Sequence, residues 1–313
     1  MSHFLQTPVP VAMLNDSAAH PPGNDPPPPL GAGAKGRPGG RRLADLLPRV
    51  ASGLVLAAVA LVSVWRGGAV FAVAWFAAAS AVGLEWQNLI GALRPRLRFL
   101  VAAAALAATS YFAAQGALVP ACGVLGLGAA ALALAAGQGR RLWAFGGLIY
   151  AGSLIVSVNA LYAAPGFGPR AMFWLFATVW GADVFAYFGG RLIGGPKLWP
   201  RVSPSKTWSG TLSGIFAGAL IGALVGVQGL DAARFAAPVF ALGVVAALVS
   251  QAGDIFESKV KRRFGAKDSS SLIPGHGGFM DRLDGFLAAA AFAAAFAVLH
   301  GLASATPSLF LRF

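Results

Sequence analysis

The chain has 313 residues, of which 57% are hydrophobic and only 11% are charged, whereas roughly 25% of residues are charged in an ordinary soluble domain. This composition excludes a disordered chain and disfavours a soluble globular one, because too few charges remain to cover a surface that faces water. The net charge of +13 would point to nucleic acid in a soluble protein, but in a membrane protein basic residues collect in the cytoplasmic loops. We therefore expect an integral membrane protein that has no nucleic-acid partner.

The first 42 residues differ from the rest of the chain. Residues 26–29 are four consecutive prolines, and residues 31–40 are rich in glycine. Such a segment cannot bury a hydrophobic core. The sequence therefore predicts a disordered cytoplasmic arm at residues 1–42 and a membrane-embedded domain at residues 43–313.

Apolar stretches of near-membrane length recur from residue 49 onward, and they predict nine transmembrane helices. The approximate spans are 49–65, 68–90, 99–115, 117–136, 142–163, 171–190, 209–228, 236–253 and 284–304. We expect an all-α polytopic membrane protein, because no soluble domain separates these spans.

The distribution of basic residues supports this number of spans. With a cytoplasmic N-terminus, twenty of the 24 Lys and Arg residues fall on the inner side of the membrane and four on the outer side. The positive-inside rule describes this asymmetry, and nine spans then place the C-terminus outside. Seven spans remain an alternative, because the removal of one helical hairpin preserves the alternation.

The acidic residues are few enough to be considered one by one. Glu85 and Asp183 lie within apolar spans, where a carboxylate is costly unless it is paired or functional. Five more acidic residues share the segment 254–284 with six basic residues, and these five are Asp254, Glu257, Asp268, Asp281 and Asp284. A solvated loop would also explain such mixed charge, but the spacing within the segment favours a functional site.

Helical spacing places the first residues of this segment on one face. Asp254, Glu257, Ser258 and Lys261 follow an i, i+3, i+4, i+7 pattern, so a helix would align their side chains. The simpler interpretation is a Glu257–Lys261 ion pair that contributes a few tenths of a kcal/mol.

The end of the segment combines glycines with carboxylates. Glycines at positions 275, 277 and 278 allow positive φ angles and let a ligand approach the backbone closely. Asp281 and Asp284 are i, i+3 neighbours at the start of the last span, where acidic residues also favour the helix dipole. Two carboxylates beside glycine-rich backbone and cations are equally what a phosphate-bound Mg²⁺ ion requires.

A second polar segment, residues 203–210, lies just before another apolar span and on the same predicted side of the membrane. It contains Ser203, Lys206 and Thr207. A Ser/Thr and Lys set at a helix N-terminus fits a phosphate contact, and it fits a helix cap equally well. The sequence contains no P-loop, Rossmann fingerprint or His-rich zinc pattern.

Together these residues resemble the CDP-diacylglycerol synthase family, also called phosphatidate cytidylyltransferase. The family signature has Ser, Lys-Arg, Lys-Asp, His-Gly-Gly and Asp-Arg-x-Asp at fixed spacings, and all eleven fixed positions match here over 27 residues without a gap. The matching residues are Ser258, Lys261, Arg262, Lys267, Asp268, His276, Gly277, Gly278, Asp281, Arg282 and Asp284. The similarity covers about residues 180–285, and it departs from the family at Ser209, where members often have Glu.

The resemblance implies a reaction of phospholipid biosynthesis, in which CTP and phosphatidate give CDP-diacylglycerol and pyrophosphate with Mg²⁺. The implied catalytic residues are Lys267, Asp268, His276, Asp281 and Arg282. The implied metal ligands are Asp254, Asp268, Asp281 and, as a weaker fourth, Asp284. The implied phosphate-binding residues are Ser203, Lys206, Thr207, Lys261, Arg262, Gly277 and Gly278, and Asp183 would line a cavity within the membrane.

The chemistry of this reaction limits what the protein must supply. A phosphomonoester has a second pKa of about 6, so the nucleophilic oxygen of phosphatidate is largely ionised at neutral pH. We therefore do not expect His276 to act as a strong base, and catalysis would depend on positioning and charge neutralisation. Lys206 and its neighbours would contact either CTP or the lipid phosphate.

Three alternative functions remain open. A cytidylyltransferase for a different lipid phosphate would carry the same signature. A transporter would have interrupted helices in corresponding halves of the chain, whereas the polar features here are confined to its C-terminal part. A catalytically silent scaffold would have lost signature carboxylates, and none is lost.

The expected location follows from the composition and the topology. The Ala- and Gly-rich spans, without a eukaryotic targeting segment, favour a multi-pass protein of a bacterial plasma membrane whose active site faces the cytoplasm. The family resemblance also implies a homodimer.

Overall fold

The computed structural model of the protein describes residues 38–164, 167–273 and 277–304, and for residues 38–49 and 301–304 it describes the backbone alone. The chain divides into Met1–Arg42 and Leu43–Phe313, and every contact reported below lies within the second unit. Residues 38–42 of the predicted arm are helical, because the first helix begins at Pro38, so the arm is shorter than predicted. Residues 1–37 lie outside the described residues, and their disorder stays a prediction.

Nine helices and one short hairpin make up the described part of the chain. The helices are α1 (Pro38–Arg66), α2 (Gly68–Leu89), α3 (Pro95–Ala114), α4 (Leu118–Ala135), α5 (Arg141–Tyr162), α6 (Gly168–Leu192), α7 (Trp208–Gly226), α8 (Ala232–Arg263) and α9 (Met280–Ser304). The antiparallel hairpin joins β1 (Lys197–Trp199) to β2 (Ser203–Thr207) between α6 and α7.

The predicted all-α polytopic membrane protein is confirmed. Eight of the described helices, α2 to α9, are long and apolar enough to cross a membrane, and α1 adds a shorter apolar stretch, Val50–Arg66. Buried side chains from these helices form one hydrophobic core. The sequence did not predict the hairpin, because residues 203–210 were interpreted only as a polar segment before an apolar span.

Helix α8 is longer than its predicted span. It continues ten residues beyond position 253 to Arg263, because the buried side chains of Glu257, Val260 and Lys261 keep one face of the extension against the protein. Three basic residues occupy its last turn, where they favour the helix dipole. Gly265, with a φ of 73°, lies just past its end, as is common at helix C-termini.

Glycines on α7 bring this helix very close to α6. A Cβ added at Gly214 would lie 2.5 Å from the carbonyl oxygen of Ala182, and one added at Gly218 would lie 2.5 Å from that of Thr178. Small residues permit such close helix packing in membranes. This contact fixes Asp183 of α6 beside the first turns of α7.

Helix α2 packs on α5 through the side chain of Trp86. The indole Nε1 of Trp86 donates a hydrogen bond of 2.8 Å to the carbonyl oxygen of Trp143. A Cβ at Gly147 would lie 2.0 Å from the Trp86 ring, so only glycine fits there. Trp86 thereby fixes the C-terminal half of α2, which carries the buried Glu85.

Candidate active site

A polar cavity of about 350 Å³ lies among α6, β2, α7 and α8. Its lining includes Asp183, Tyr187, Arg191, Lys206, Thr207, Gln251 and Asp254. The structure therefore brings the second polar segment together with Asp183 and with the first residue of the acidic cluster. These residues come from three separate elements, α6, β2 and α8, which only the folded chain places around one space.

Lys206 is the central cation of this cavity. Its Nζ forms an ion pair with Asp254 Oδ2 and donates a second hydrogen bond, of 3.0 Å, to Gln251 Oε1. Asp183 also interacts electrostatically with both Lys206 and Asp254. The side chains of Lys206 and Asp254 are 21% and 23% exposed, so a ligand in the cavity can reach both charges.

Two carboxyl groups meet where α8 and α9 approach each other. The side chains of Asp254 and Asp284 lie within hydrogen-bonding reach of each other. Glycines on both helices allow this, because a Cβ at Gly253 would lie 2.7 Å from the Asp284 carbonyl oxygen, and one at Gly285 would lie 3.0 Å from Asp254 Oδ1. Two ionised carboxyls this close repel each other, and a bound cation would relieve that repulsion.

The Asp254–Asp284 pair fits a partial Mg²⁺ site, since it offers the hard oxygen ligands that this ion prefers. Among the residues that the structure describes, no three His, Cys, Asp or Glu side chains form a group that could hold a metal ion. The protein alone would thus supply only part of a coordination shell. Mg²⁺ sites of this type use one or two carboxylates together with substrate phosphates and water.

A second charged cluster lies towards the loop between α8 and α9. Lys261 Nζ lies 2.7 Å from Glu257 Oε2 and donates a hydrogen bond of 2.6 Å to Asp281 Oδ1. Glu257 is fully buried and Lys261 nearly so. The predicted Glu257–Lys261 pair is therefore present, but it is buried and extends to Asp281. The predicted contact of Lys261 with substrate phosphate stays a prediction.

Asp281 also holds the backbone of this loop. Its Oδ2 accepts hydrogen bonds from the amide of Ser269 at 3.0 Å, the hydroxyl of Ser269 at 3.0 Å and the amide of Gly278 at 2.8 Å. Gly277 has a φ of 79°, a conformation that favours glycine. Both oxygens of Asp281 are thus engaged within the protein, and its role as a metal ligand stays a prediction.

Thr207 is the N-cap residue of helix α7. Its hydroxyl oxygen accepts a hydrogen bond of 3.1 Å from the amide of Gly210, so the helix-cap interpretation of this residue is observed. Ser203, at the start of β2, is buried. A phosphate contact of Ser203 or Thr207 stays a prediction, although Thr207 also lines the cavity.

Four other signature residues are exposed, and His276 lies outside the described residues. The exposed members are Arg262, Lys267, Asp268 and Arg282. Arg262 donates a hydrogen bond of 3.1 Å to the carbonyl oxygen of Ala266, and Arg282 interacts electrostatically with Asp183. His276 lies outside the described residues, so its predicted role stays a prediction.

Two residues of this region were missing from the predicted site. Gln251 shares Lys206 with Asp254, and its position three residues before Asp254 in an apolar helix was the available signal. Glu85 on α2 bonds to the α8–α9 loop. The sequence analysis identified Glu85 as a costly carboxylate in an apolar span, but its partners lie more than 180 residues further along the chain.

Similarity to a known protein family defines the class of this chain. A profile of the Cytidylyltransferase family matches residues 47–300, which include every helix from α2 to α8 and most of α9. The chain belongs to the Cytidylyltransferase family, and the resemblance inferred from the signature is confirmed.

Named relatives agree with this assignment. A phosphatidate cytidylyltransferase of Brucella abortus is 38% identical over 273 residues, which cover 87% of this chain and 100% of that protein. A protein of the same name from Haemophilus influenzae is 37% identical over 158 residues, covering 49% of this chain and 55% of the relative. One from Pseudomonas aeruginosa is 48% identical over 111 residues, covering 36% and 41%.

Proposed function

We propose that this protein transfers the cytidylyl group of CTP to phosphatidate, which yields CDP-diacylglycerol and pyrophosphate. The observation that carries the proposal is the cavity in which Lys206, Asp183 and Asp254 meet, because it combines charges for a polyphosphate with helices that can lie in a bilayer. The names of the relatives that match most of this chain support the choice of substrates.

The reaction is a displacement at the α-phosphorus of CTP. A bond forms between the phosphate oxygen of phosphatidate and the α-phosphorus, and the bond from that phosphorus to the β-phosphate breaks, so that pyrophosphate leaves with the electron pair. The attacking oxygen is already ionised at neutral pH and needs no general base. The protein therefore has to bring two anionic substrates together and stabilise the charge of the leaving group.

The cavity residues suit this task. Lys206 would bind a phosphate group of CTP or of the lipid, while Asp254 and Gln251 orient its ammonium group. Lys267 and Arg282 are exposed, and they would contact phosphates that enter from the loop side. Asp254 and Asp284 would hold Mg²⁺, which when bound neutralises phosphate charge and polarises the phosphoryl group under attack.

The orientation in the membrane belongs to the same proposal. We place the N-terminus and the active site on the cytoplasmic side of a bacterial plasma membrane, and the C-terminus outside. The excess of Lys and Arg in the loops that share a side with the signature supports this orientation. The homodimer implied by the family resemblance is proposed on that resemblance alone.

The test is an assay with purified full-length protein in bilayer nanodiscs, with CTP labelled at the α-phosphate and a panel of lipid phosphates. We expect Mg²⁺-dependent transfer of the label to phosphatidate, together with one pyrophosphate for each CDP-diacylglycerol. A Lys206→Met variant, which should lose most of the activity and is purified in the same way, is the control for contaminating enzymes. Transfer only to another lipid phosphate would identify the alternative cytidylyltransferase, and no transfer to any lipid would refute the proposal.

A further inference from the structure

Glu85 is a buried carboxylate outside the cavity described above. It lies in the apolar helix α2 and is 1% exposed. Its Oε1 accepts hydrogen bonds from the Ser270 hydroxyl at 2.7 Å and the Phe279 amide at 2.9 Å. Its Oε2 accepts from the Ser269 hydroxyl at 2.9 Å and the Met280 amide at 2.7 Å. Four donors therefore converge on a group that acts only as an acceptor.

These donors lie at both ends of one part of the connection between α8 and α9. We call this part (residues 269–273 and 277–279) the signature loop. Ser269 and Ser270 begin the loop, whereas Phe279 and Met280 form its junction with α9. Glu85 thus ties together two chain segments that enter and leave the loop. The loop is packed directly on this carboxylate, because a Cβ at Gly278 would lie 2.6 Å from both Glu85 oxygens.

Glu85 also caps the N-terminus of helix α9. The first amides of a helix have no partner within that helix. Glu85 accepts from the amide of Met280, the first residue of α9, and a negative group at this end favours the helix dipole. A side chain from α2 thereby performs for α9 what an N-cap residue normally does.

A further contact connects Glu85 to the charged cluster on α8 and α9. The hydroxyl of Ser269 lies 2.9 Å from Glu85 Oε2 and 3.0 Å from Asp281 Oδ2. Asp281 in turn accepts from Lys261. The two carboxylates share Ser269, so a displacement of the loop at Glu85 would also change the hydrogen bonds of Asp281.

We propose that Glu85 is a positioning residue for the cytidylyl transfer. Its carboxylate fixes the signature loop and the first turn of α9, and this sets where Asp281 and Asp284 lie relative to the cavity. The inference rests on the proposed function for its effect on turnover. Its effect on the loop itself does not depend on that function and is measured separately.

The first test compares the full-length wild type with Glu85→Gln by amide hydrogen exchange without substrates. Glutamine keeps the size but replaces one acceptor oxygen with a donor, so it cannot accept all four hydrogen bonds. We expect exchange of residues 269–283 to accelerate by about tenfold or more, while exchange in α5 and α7 is unchanged. Glu85→Asp, which keeps both acceptor oxygens, should restore part of the protection. Ser80→Ala on the same helix is the matched control, because the Ser80 hydroxyl has no hydrogen-bond partner among the described residues.

The second test measures turnover. We expect Glu85→Gln to lower kcat by about tenfold or more at saturating CTP, with Ser80→Ala and Ser271→Ala unchanged. If Glu85 acts through Ser270, adding Ser270→Ala to Glu85→Gln should change kcat by less than about twofold, although Ser270→Ala alone lowers it clearly. Ser271 is exposed, which makes it the control within the loop.

The results of the two tests distinguish an error in the role of Glu85 from an error in the proposed function. Unchanged loop exchange in Glu85→Gln, or a uniform loss of protection across all helices, would overturn the inference. If Glu85→Gln does not fold, the Ser269→Ala/Ser270→Ala double variant removes two of the donors without altering α2, and normal loop exchange and kcat in that variant would also overturn it. A wild type that does not transfer cytidylyl groups would refute the proposed function and leave the exchange result standing.

Discussion

The structure makes different predictions for two carboxylates of the acidic segment 254–284, Asp254 and Asp281. Asp281 accepts hydrogen bonds from Lys261, Ser269 and Gly278, whereas Asp254 faces the cavity and the carboxyl of Asp284. Asp281→Asn should therefore act mainly through the loop. Asp254→Asn should act mainly on the affinity for Mg²⁺.

The contacts of Asp281 set the size of the expected effect. Hydrogen bonds to a charged group contribute about 1.5–3 kcal/mol each. Asparagine retains one acceptor oxygen, so about half of the four bonds are lost, which costs about 3–6 kcal/mol locally. Since 1.36 kcal/mol corresponds to a factor of ten in rate, we expect kcat to fall by about ten- to a hundredfold if half of this loss is present in the transition state.

The assay is cytidylyl transfer to phosphatidate in nanodiscs, measured over a wide range of Mg²⁺ concentrations. We expect the half-saturating Mg²⁺ concentration of Asp281→Asn to match the wild type, and that of Asp254→Asn to rise about tenfold or more with partial rescue at high Mg²⁺. Hydrogen exchange of α3 and α4, which are remote from the loop, monitors the fold. If high Mg²⁺ rescues Asp281→Asn as fully as Asp254→Asn, then Asp281 binds the metal and the loop argument is wrong.

Three further predictions follow from other parts of the chain. Lys206→Met should lower kcat/KM by about a hundredfold or more, because two charge-assisted contacts are lost. The control, Lys197→Met in the neighbouring strand, should stay close to wild type. Equal activity of the two variants would contradict the role of Lys206. Deletion of residues 1–37 should leave specific activity within about threefold of wild type in the same assay, and a large loss with an intact fold would assign the arm to the site. In a cysteine-free background, cysteine at Ser205 should react with an impermeant reagent only from the cytoplasmic side, and cysteine at Asp231 only from outside, so labelling of both from one side would contradict the proposed topology.

The sequence was sufficient for the helices because their signal is local. Apolar length predicted each span, and spacing alone aligned Asp254, Glu257 and Lys261 on one face of a helix. The apolar span predicted for α8 ends ten residues before the helix does, because the hydropathy changes at the membrane boundary whereas the helix continues as long as one face stays buried. The hairpin of β1 and β2 was missed, since a three-residue strand offers too short a pattern.

The partners of the site residues were beyond such reasoning, because they depend on tertiary contacts. Lys206 was recognised as a phosphate-binding candidate, but its contact with Gln251 joins a hairpin to a helix 45 residues away. Glu85 was recognised as an unusual carboxylate, but its donors are mostly backbone amides and serine hydroxyls of a distant loop. Neutral donors of this kind leave no charge pattern in a sequence that would reveal the pairing.

Helices α8 and α9 carry four acidic residues of the segment 254–284, and their packing separates these residues by role. Helices α8 and α9 run past each other so that Lys261 meets Asp281 near the loop, whereas Asp254 meets Asp284 further along. At the loop end, a lysine and peptide amides occupy the carboxylate oxygens, so the acidic residues there hold the structure together. At the cavity end, Asp254 pairs with Lys206 and lies beside the carboxyl of Asp284, and both Lys206 and Asp254 line the cavity. We therefore propose that a metal-bound nucleotide is accommodated at the cavity end, and that the backbone contacts of the loop end hold that position in place.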